Sequence, residues 1–459
     1  SLTDAKTTDA YTIKNVGALA GSALGAVVID KVTVTGAALT SDVKIENVGG
    51  LIGSTTGIAY IGYTSTSATS DEAVAVTTTN IKGIKAPLTP PLTWKEMGKY
   101  ALLAIAIILI IIGIIIFVIA IGIFILLKLT FLKTFPKLKG EPEIGKWYEV
   151  EVDGAKSSDG SEWHGIFRKG TENKVVVYFF GGGVSITPET SEGGKEFYAT
   201  NMTAQDFVAQ GGIGSTAEDN PFKDWSFIVI PYATGDFHAG TGTYEGKKTV
   251  YHTGYSNYSA YVEQVKQYIG EPDTLLVTGF SAGGFATSLL ADDVIDRFPS
   301  AENVTVCVDS SLLLYEGWHE TAVDLWKAPT EISDRLTTNN LVLDSLTALH
   351  EKRGDSVKIL FDCSYRDDTL MQYQSYIDSG KMDKTKELGD NFQRDLKEMV
   401  NGLQTNIPDV GIYIWSCGED ADTHNTQHTI ISANVFDRLG NDRSVGEWIF
   451  DAVNDEVKT

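Results

Sequence analysis

Cysteine is scarce in this chain: Cys307, Cys363 and Cys417 are the only three among 459 residues. So small and odd a set cannot form the dense disulfide framework of small secreted domains, although one pair could still bridge. An excess of positive charge is missing as well, since 37 Lys and Arg stand against 60 Asp and Glu, for a formal net charge of −23. Nucleic-acid binding needs clustered Lys and Arg to displace phosphate counterions, so nucleic acid is excluded as a partner. The deficit is uneven. Residues 1–99 hold eight Lys and eight Asp or Glu, whereas from Glu141 onward 25 Lys or Arg face 52 Asp or Glu, about −27.

What is plentiful is aliphatic sequence in one place. Ala101 to Leu127 reads ALLAIAIILIIIGIIIFVIAIGIFILL without a charge, and a helix needs roughly 20 such residues to cross a hydrocarbon core. A single transmembrane helix is expected over 100–132. A buried core helix would be shorter and interrupted by polar positions, and a signal peptide's apolar region would be about 7–15 residues long at the chain start. Lysines flank both ends of the run, so positive charge does not set the orientation.

The segment before it, residues 1–80, is rich in Thr, Ser, Ala, Gly and Val and contains a repeat. Ile13–Ser22 returns as Ile45–Ser54, and Gly25 as Gly57, at an offset of 32. Repeats of such a period stack units that cannot bury their apolar faces alone. The pattern NVGGLIGSTTGIAYIGYTSTS resembles the GLUG repeat of bacterial surface proteins, which implies a β-solenoid-like segment with glycines at tight corners. A Ser/Thr-rich linker is the alternative. Ser1 is not Met, which fits a truncated or processed chain and the end of a longer array. Pro87, Pro90 and Pro91 make 81–99 a connector into the span.

Beyond Gly140 the texture changes. Short β-rich runs (VVVYFF, SFIVIP, LLVTGF, VTVCVD, VKILFD, IYIWS) alternate with helical spacing at Tyr258–Ile269 and Phe392–Leu403. Several runs are apolar on successive residues, as expected of parallel strands covered by helices on both faces. The class is α/β, with a mostly parallel sheet, over 141–459.

Gly279-Phe280-Ser281-Ala282-Gly283 fits G-x-S-x-G, directly after LLVTGF and before a helix-like stretch at Gly284–Phe298. Small residues on either side of Ser281 let the chain make the strained turn that lifts a nucleophilic hydroxyl clear of a sheet, and the helix N-terminus faces developing negative charge. Ser281 is the expected nucleophile. Tyr178-Phe179-Phe180-Gly181-Gly182-Gly183 supplies the second piece, because an acyl-transfer site must hold an oxyanion with fixed backbone donors. The amides of Gly182, Gly183 and Ala282 are the expected donors. Gly181 and Gly283 are expected to border the substrate. A flexible loop is what GGG alone would mean.

YFFGGGVS, GDFHAGTGT at Gly235–Thr243, VTGFSAGGFAT and Val308-Asp309-Ser310-Ser311, preceded by Ser158–Trp163, together resemble the ordered motifs of the pectin acetylesterase family, which includes the Notum-type carboxylesterases. The resemblance implies an α/β-hydrolase fold over about 141–459, a Ser-Asp-His triad and removal of acyl groups from carbohydrate or from a lipidated protein. It says nothing of the first 140 residues. In such a fold the acid and the base follow the nucleophile in chain order. Asp367 and Asp368, after VKILFD, both stand where the family places its acid, and Asp367 is preferred. Of the histidines after the last strand, His428 resembles the family's base; His424 lies in a polar run and is expected to be exposed. Asp236 and His238 precede the nucleophile and are expected to shape the substrate pocket or position a loop. They could begin a metal site, but no third ligand is spaced near them, so neither metal nor cofactor is expected. Ser185 stands where many relatives carry a Cys, which removes a loop-fixing disulfide.

The expected function is that of a membrane-anchored serine ester hydrolase that takes a short acyl group, such as O-acetyl, from a glycan. A surface near −27 repels polyanionic pectin at low salt, within a screening length of about 10 Å at 0.1 M. A neutral or small acyl ester is the expected substrate, with the catalytic domain outside the cytoplasm. The alternatives are a long-chain acyl esterase, with the same triad and a deeper pocket, and an adhesion protein whose hydrolase-like domain is inactive.

Overall fold

A computed structural model describes residues 13–17, 27–29, 45–49, 59–61, 109–114, 135–202, 205–439 and 442–455. The chain divides into two compact units, Ser1–Ile123 and Phe124–Thr459.

In the first unit, β1 (Ile13–Gly17) pairs in parallel with β3 (Ile45–Gly49), Ile13 opposite Ile45 and Asn15 opposite Asn47. β2 (Val27–Ile29) pairs likewise with β4 (Ala59–Ile61), Val27 opposite Ala59. Both registers carry the offset of the sequence repeat, so each strand lies against its own copy. The remainder of 1–80 and the connector 81–99 lie outside the described residues. Of the apolar run, 109–114 is helical, with Leu109, Ile110, Ile111, Ile112 and Ile114 exposed. The rest of the span expected over 100–132 lies outside the described residues, among which no helix is long and apolar enough to cross a membrane.

The second unit is built on one sheet of eight strands. They are β5 (Trp147–Lys156), β6 (Glu162–Arg168), β7 (Lys174–Phe179), β8 (Ser226–Ile230), β11 (Thr274–Phe280), β12 (Asn303–Asp309), β13 (Val357–Ser364) and β14 (Gly411–Trp415), in the spatial order β14-β13-β12-β11-β7-β8-β6-β5. The hairpin of β9 (Gly242–Glu245) and β10 (Thr249–His252) stands apart from it. From β14 to β8 the pairing is parallel, whereas β6 and β5 join antiparallel at one edge. The two groups differ in sequence for a physical reason. β7, β8 and β12 are buried almost end to end, because helices cover both faces of a parallel sheet. β5 turns every second residue of its middle to solvent, as an edge strand can, and no unbroken apolar run announced it.

The covering helices include α1 (Gly254–Val265), α2 (Ala282–Arg297), α3 (Leu341–Arg353), α4 (Leu370–Ser379), α5 (Lys386–Asn406) and α6 (Val445–Val453). α5 shows how sequence makes such an element. Thr385 Oγ1 accepts the Leu388 N–H at 3.2 Å as its N-cap, and Phe392, Leu396, Met399 and Leu403 form its buried stripe. Each of those side chains contributes roughly 1.5–3 kcal/mol by leaving water, and Thr385→Ala would remove about 1 kcal/mol. The domain begins ahead of Glu141: Phe135 stacks on Trp147 with ring centroids 5.8 Å apart, and its N–H reaches Asp206 at 2.9 Å.

All parallel strands point their C-terminal ends the same way. The segments that follow β7, β11, β12, β13 and β14 therefore gather at one rim, where open α/β sheets bind their ligands.

Candidate active site

Ser281 follows β11 directly and caps α2 with φ 55° and ψ −127°. A side chain in the left-handed region costs about 1–3 kcal/mol and persists only where its surroundings enforce it. Here the enforcement is steric. A Cβ on Gly279 would lie 2.3 Å from Gly283 O, and one on Gly283 would lie 2.0 Å from Phe179 O. The turn can close against β7 only because both positions lack side chains. Ser281 N–H donates to Asp309 O at 3.0 Å, and Ser311 Oγ donates to Ser281 O at 2.9 Å.

The glycine loop follows β7, the neighbour of β11. Gly182 O accepts the Ala199 N–H at 2.7 Å and Phe197 O accepts the Val184 N–H at 3.1 Å, which pins the loop from one side. No hydrogen bond among the described residues uses the N–H of Gly182, Gly183 or Ala282. Gly183 has φ +81°, and a Cβ there would meet Phe197 O at 2.1 Å. Gly181 packs on the Ser281 turn, where an added Cβ would lie 2.6 Å from Ser281 Cβ.

Asp236 and His238 are buried beneath this loop and do not face solvent. His238 Nε2 donates to Phe180 O at 2.9 Å, one residue before Gly181. Asp236 accepts from Thr234 Oγ1 at 2.6 Å, from His238 N at 3.1 Å and from Gly254 N at 2.7 Å. Burial pushes the His238 imidazole down to about 4, so it stays neutral and keeps its donor role. The pair therefore positions a loop, and neither side chain lines the surface that a substrate could touch. Ser185 is part of a second brace. Its Oγ lies 2.6 Å from Ser191 Oγ, which lies 2.9 Å from His252 Nε2, and His252 Nδ1 donates to Thr234 O at 2.7 Å. Trp326 Nε1 adds a bond to Ser185 O at 2.8 Å. A chain of buried hydrogen bonds thus holds the loop where a disulfide is missing, and Cys307, Cys363 and Cys417 are all free thiols.

After β13 the two candidate acids part company. Asp367 is fully buried, and its Oδ2 accepts from His428 Nδ1 at 2.6 Å. Its Oδ1 accepts the N–H of Thr369 at 3.1 Å and of Leu370 at 2.8 Å, at the start of α4. Asp368, 33% exposed, pairs instead with Lys384 at 2.7 Å. His428 is largely buried, and its Nε2 has no hydrogen-bond partner among the described residues. No hydrogen bond joins that nitrogen to Ser281 Oγ. Burial works against the imidazolium of His428, yet the carboxylates of Asp367, Asp309 and Asp368 outweigh it and the net shift is upward. His424 is exposed and bonds Glu419 at 2.7 Å. Among the described residues, no group of three or more His, Cys, Asp or Glu could hold a metal ion.

A strained serine turn, a glycine loop beside it and a carboxylate-held imidazole thus lie on one rim. Residues 147–321 match the pectinacetylesterase family. That segment contains the glycine loop, Asp236, His238 and Ser281, and stops short of Asp367 and His428. The family match gives the activity class of a serine carboxylesterase. Among solved structures, the Wnt deacylase Notum from Drosophila aligns with a TM-score of 0.50 at 17% identity, covering 67% of this chain and 93% of that one. At that identity the likeness carries the fold alone, an α/β architecture with a mostly parallel sheet. No curated protein matches the chain. Sequence reasoning passed over Asp309, Ser191 and His252 as working residues; only the position of Asp309 within the pectinacetylesterase-like motif could have flagged one of them.

Proposed function

We propose that the chain is a membrane-anchored carboxylesterase that removes a short acyl group, such as O-acetyl, from a glycan by attack of Ser281. His428 accepts the hydroxyl proton and later protonates the leaving alcohol, while Asp367 holds the imidazole tautomer with its proton on Nδ1. The amides of Gly182, Gly183 and Ala282 receive the oxyanion. The observation that carries the reading is the bond from His428 Nδ1 to Asp367, which leaves a buried Nε2 without a partner. A proton acceptor in that state is what a serine nucleophile needs. The acidic surface favours a neutral ester over a polyanion. Exposed aliphatics on the 109–114 helix support anchoring, and a glycan substrate supports an extracytoplasmic catalytic domain.

A second reading, removal of an acyl group from a protein, is favoured by the fold shared with a Wnt deacylase. Both share the chemistry and differ in the acyl pocket. A fluorophosphonate probe on the full chain is expected to label the wild type and not Ser281→Ala. Absence of labelling in well-folded wild type would leave an inactive binding protein instead. A p-nitrophenyl ester series from acetate to longer chains separates the two substrate classes, with acetate expected to be fastest. Marked preference for acetylated pectin at low ionic strength would overturn the charge argument, and protease protection of the domain in intact cells would overturn its location.

A further inference from the structure

Asp309 ends β12, and the proposed mechanism gives it no part. Its side chain is fully buried. Oδ2 accepts the N–H of Ile430 and of Ile431, each at 2.9 Å, and Oδ1 accepts the Ser310 hydroxyl at 2.7 Å. Those two amides come directly after His428 and Thr429, and Thr429 is held at φ +59°. A non-glycine residue in that region relaxes unless its neighbours over-determine it. The segment that carries the imidazole is therefore suspended from this carboxylate. The same residue grips the other half of the centre through its backbone, since its carbonyl accepts the Ser281 N–H.

Asp362, its register partner on β13, is equally buried and accepts from Trp415 Nε1 at 3.0 Å and Cys307 Sγ at 3.6 Å. Burial, and then the neighbouring Asp309 carboxyl, push Asp362 well above the usual carboxylate range. Burial pushes Asp309 up as well, against the three donors that favour its charged form. Two adjacent carboxyls in a dry core do not both ionise. Two backbone amides and a hydroxyl solvate Asp309, so the charge resides there and the proton on Asp362.

We infer that Asp309 is a positioning residue of the hydrolytic centre: its carboxylate, with Asp362 beside it on β13, fixes the His428 segment relative to the Ser281 turn. The inference rests on the Ser281–His428 reading above. The charged groups facing His428 are Asp367 and Asp368 after β13 and Asp309 at the end of β12, with Asp368 itself tied to Lys384. Each carboxylate favours the imidazolium. Removing the charge of Asp309 therefore moves the acid limb of kcat/KM to lower pH, which loss of a merely structural contact would not do.

The test is the pH dependence of p-nitrophenyl acetate hydrolysis by the full chain and by Asp309→Asn, Asp362→Asn and Ser281→Ala. Asp309→Asn is expected to lower kcat by about 10- to 100-fold, as a misplaced base does, with KM little changed and the acid limb displaced downward. Asp362→Asn keeps a neutral group beside Asp309 and is expected to lose less. Wild-type kcat and acid limb in Asp309→Asn, or a larger loss in Asp362→Asn, would overturn the inference while an inactive Ser281→Ala left the hydrolytic reading standing. Activity surviving in Ser281→Ala would remove both. Should Asp309→Asn fail to fold, infrared spectra of the wild type at neutral pH decide: a protonated-carboxyl band is expected, and its absence overturns the assignment.

Discussion

Asp367→Asn and Asp368→Asn are chemically the same change on adjacent residues, and their consequences should differ by orders of magnitude. In the wild type Asp367 Oδ1 takes the Thr369 and Leu370 amides while Oδ2 takes His428 Nδ1. An asparagine keeps its oxygen on the two amides, which turns its NH2 toward the imidazole. His428 Nδ1 must then accept, the ring proton moves to Nε2, and the nitrogen that should receive the Ser281 proton is already occupied. In serine proteases this wrong-tautomer substitution lowers kcat by about 10⁴-fold, equivalent to roughly 5.4 kcal/mol of barrier. Asp368 forms a half-exposed ion pair with Lys384, worth about 0.2–1 kcal/mol, so its asparagine variant should keep kcat/KM within about fivefold. Steady-state hydrolysis of p-nitrophenyl acetate, with fluorophosphonate labelling rates as a check on Ser281, measures both. A loss of less than tenfold in Asp367→Asn, or a larger loss in Asp368→Asn, would refute the reasoning.

The raised His428 group sets the pH response: the acid limb of kcat/KM should lie above the ordinary histidine value of about 6.5, since the base is lost as pH falls through its folded value, and a limb below that would contradict the carboxylate environment. In stability the same shift acts in the other sense, present in full below the unfolded value and lost as pH rises through the folded one. Ser191→Ala breaks the Ser185–Ser191–His252 chain and orphans buried polar atoms; urea unfolding should show a loss of about 1–3 kcal/mol, and an unaltered midpoint would mean the chain braces nothing. Gly183→Ala drives a methyl into Phe197 O; displacement of an oxyanion donor should lower kcat by on the order of 10²–10³-fold, and a loss under tenfold would take Gly183 out of that role.

Much of this protein is legible along the chain. The α/β class follows from apolar runs that only a sheet covered on both faces can use. The turn at Ser281 and the glycine loop follow from steric demands that adjacent residues state by themselves: Gly279 and Gly283 are small because backbone passes within 3 Å of where their side chains would be. In the first unit the registers Ile13↔Ile45 and Val27↔Ala59 carry the same 32-residue offset as the repeat. The antiparallel edge formed by β5 and β6 stayed hidden, because an edge strand half open to water needs no continuous apolar run.

Other features belong to the tertiary structure alone. Asp367 and Asp368 are identical in composition and neighbours in sequence; the start of α4 and an imidazole 61 residues away choose between them. Asp309 meets amides more than 120 residues further on, and Ser191 meets a histidine 61 residues on. Local sequence records the conformation a residue requires of its own backbone. Which buried oxygen receives which distant donor is decided only when strands from across the chain are laid side by side and water is expelled from between them.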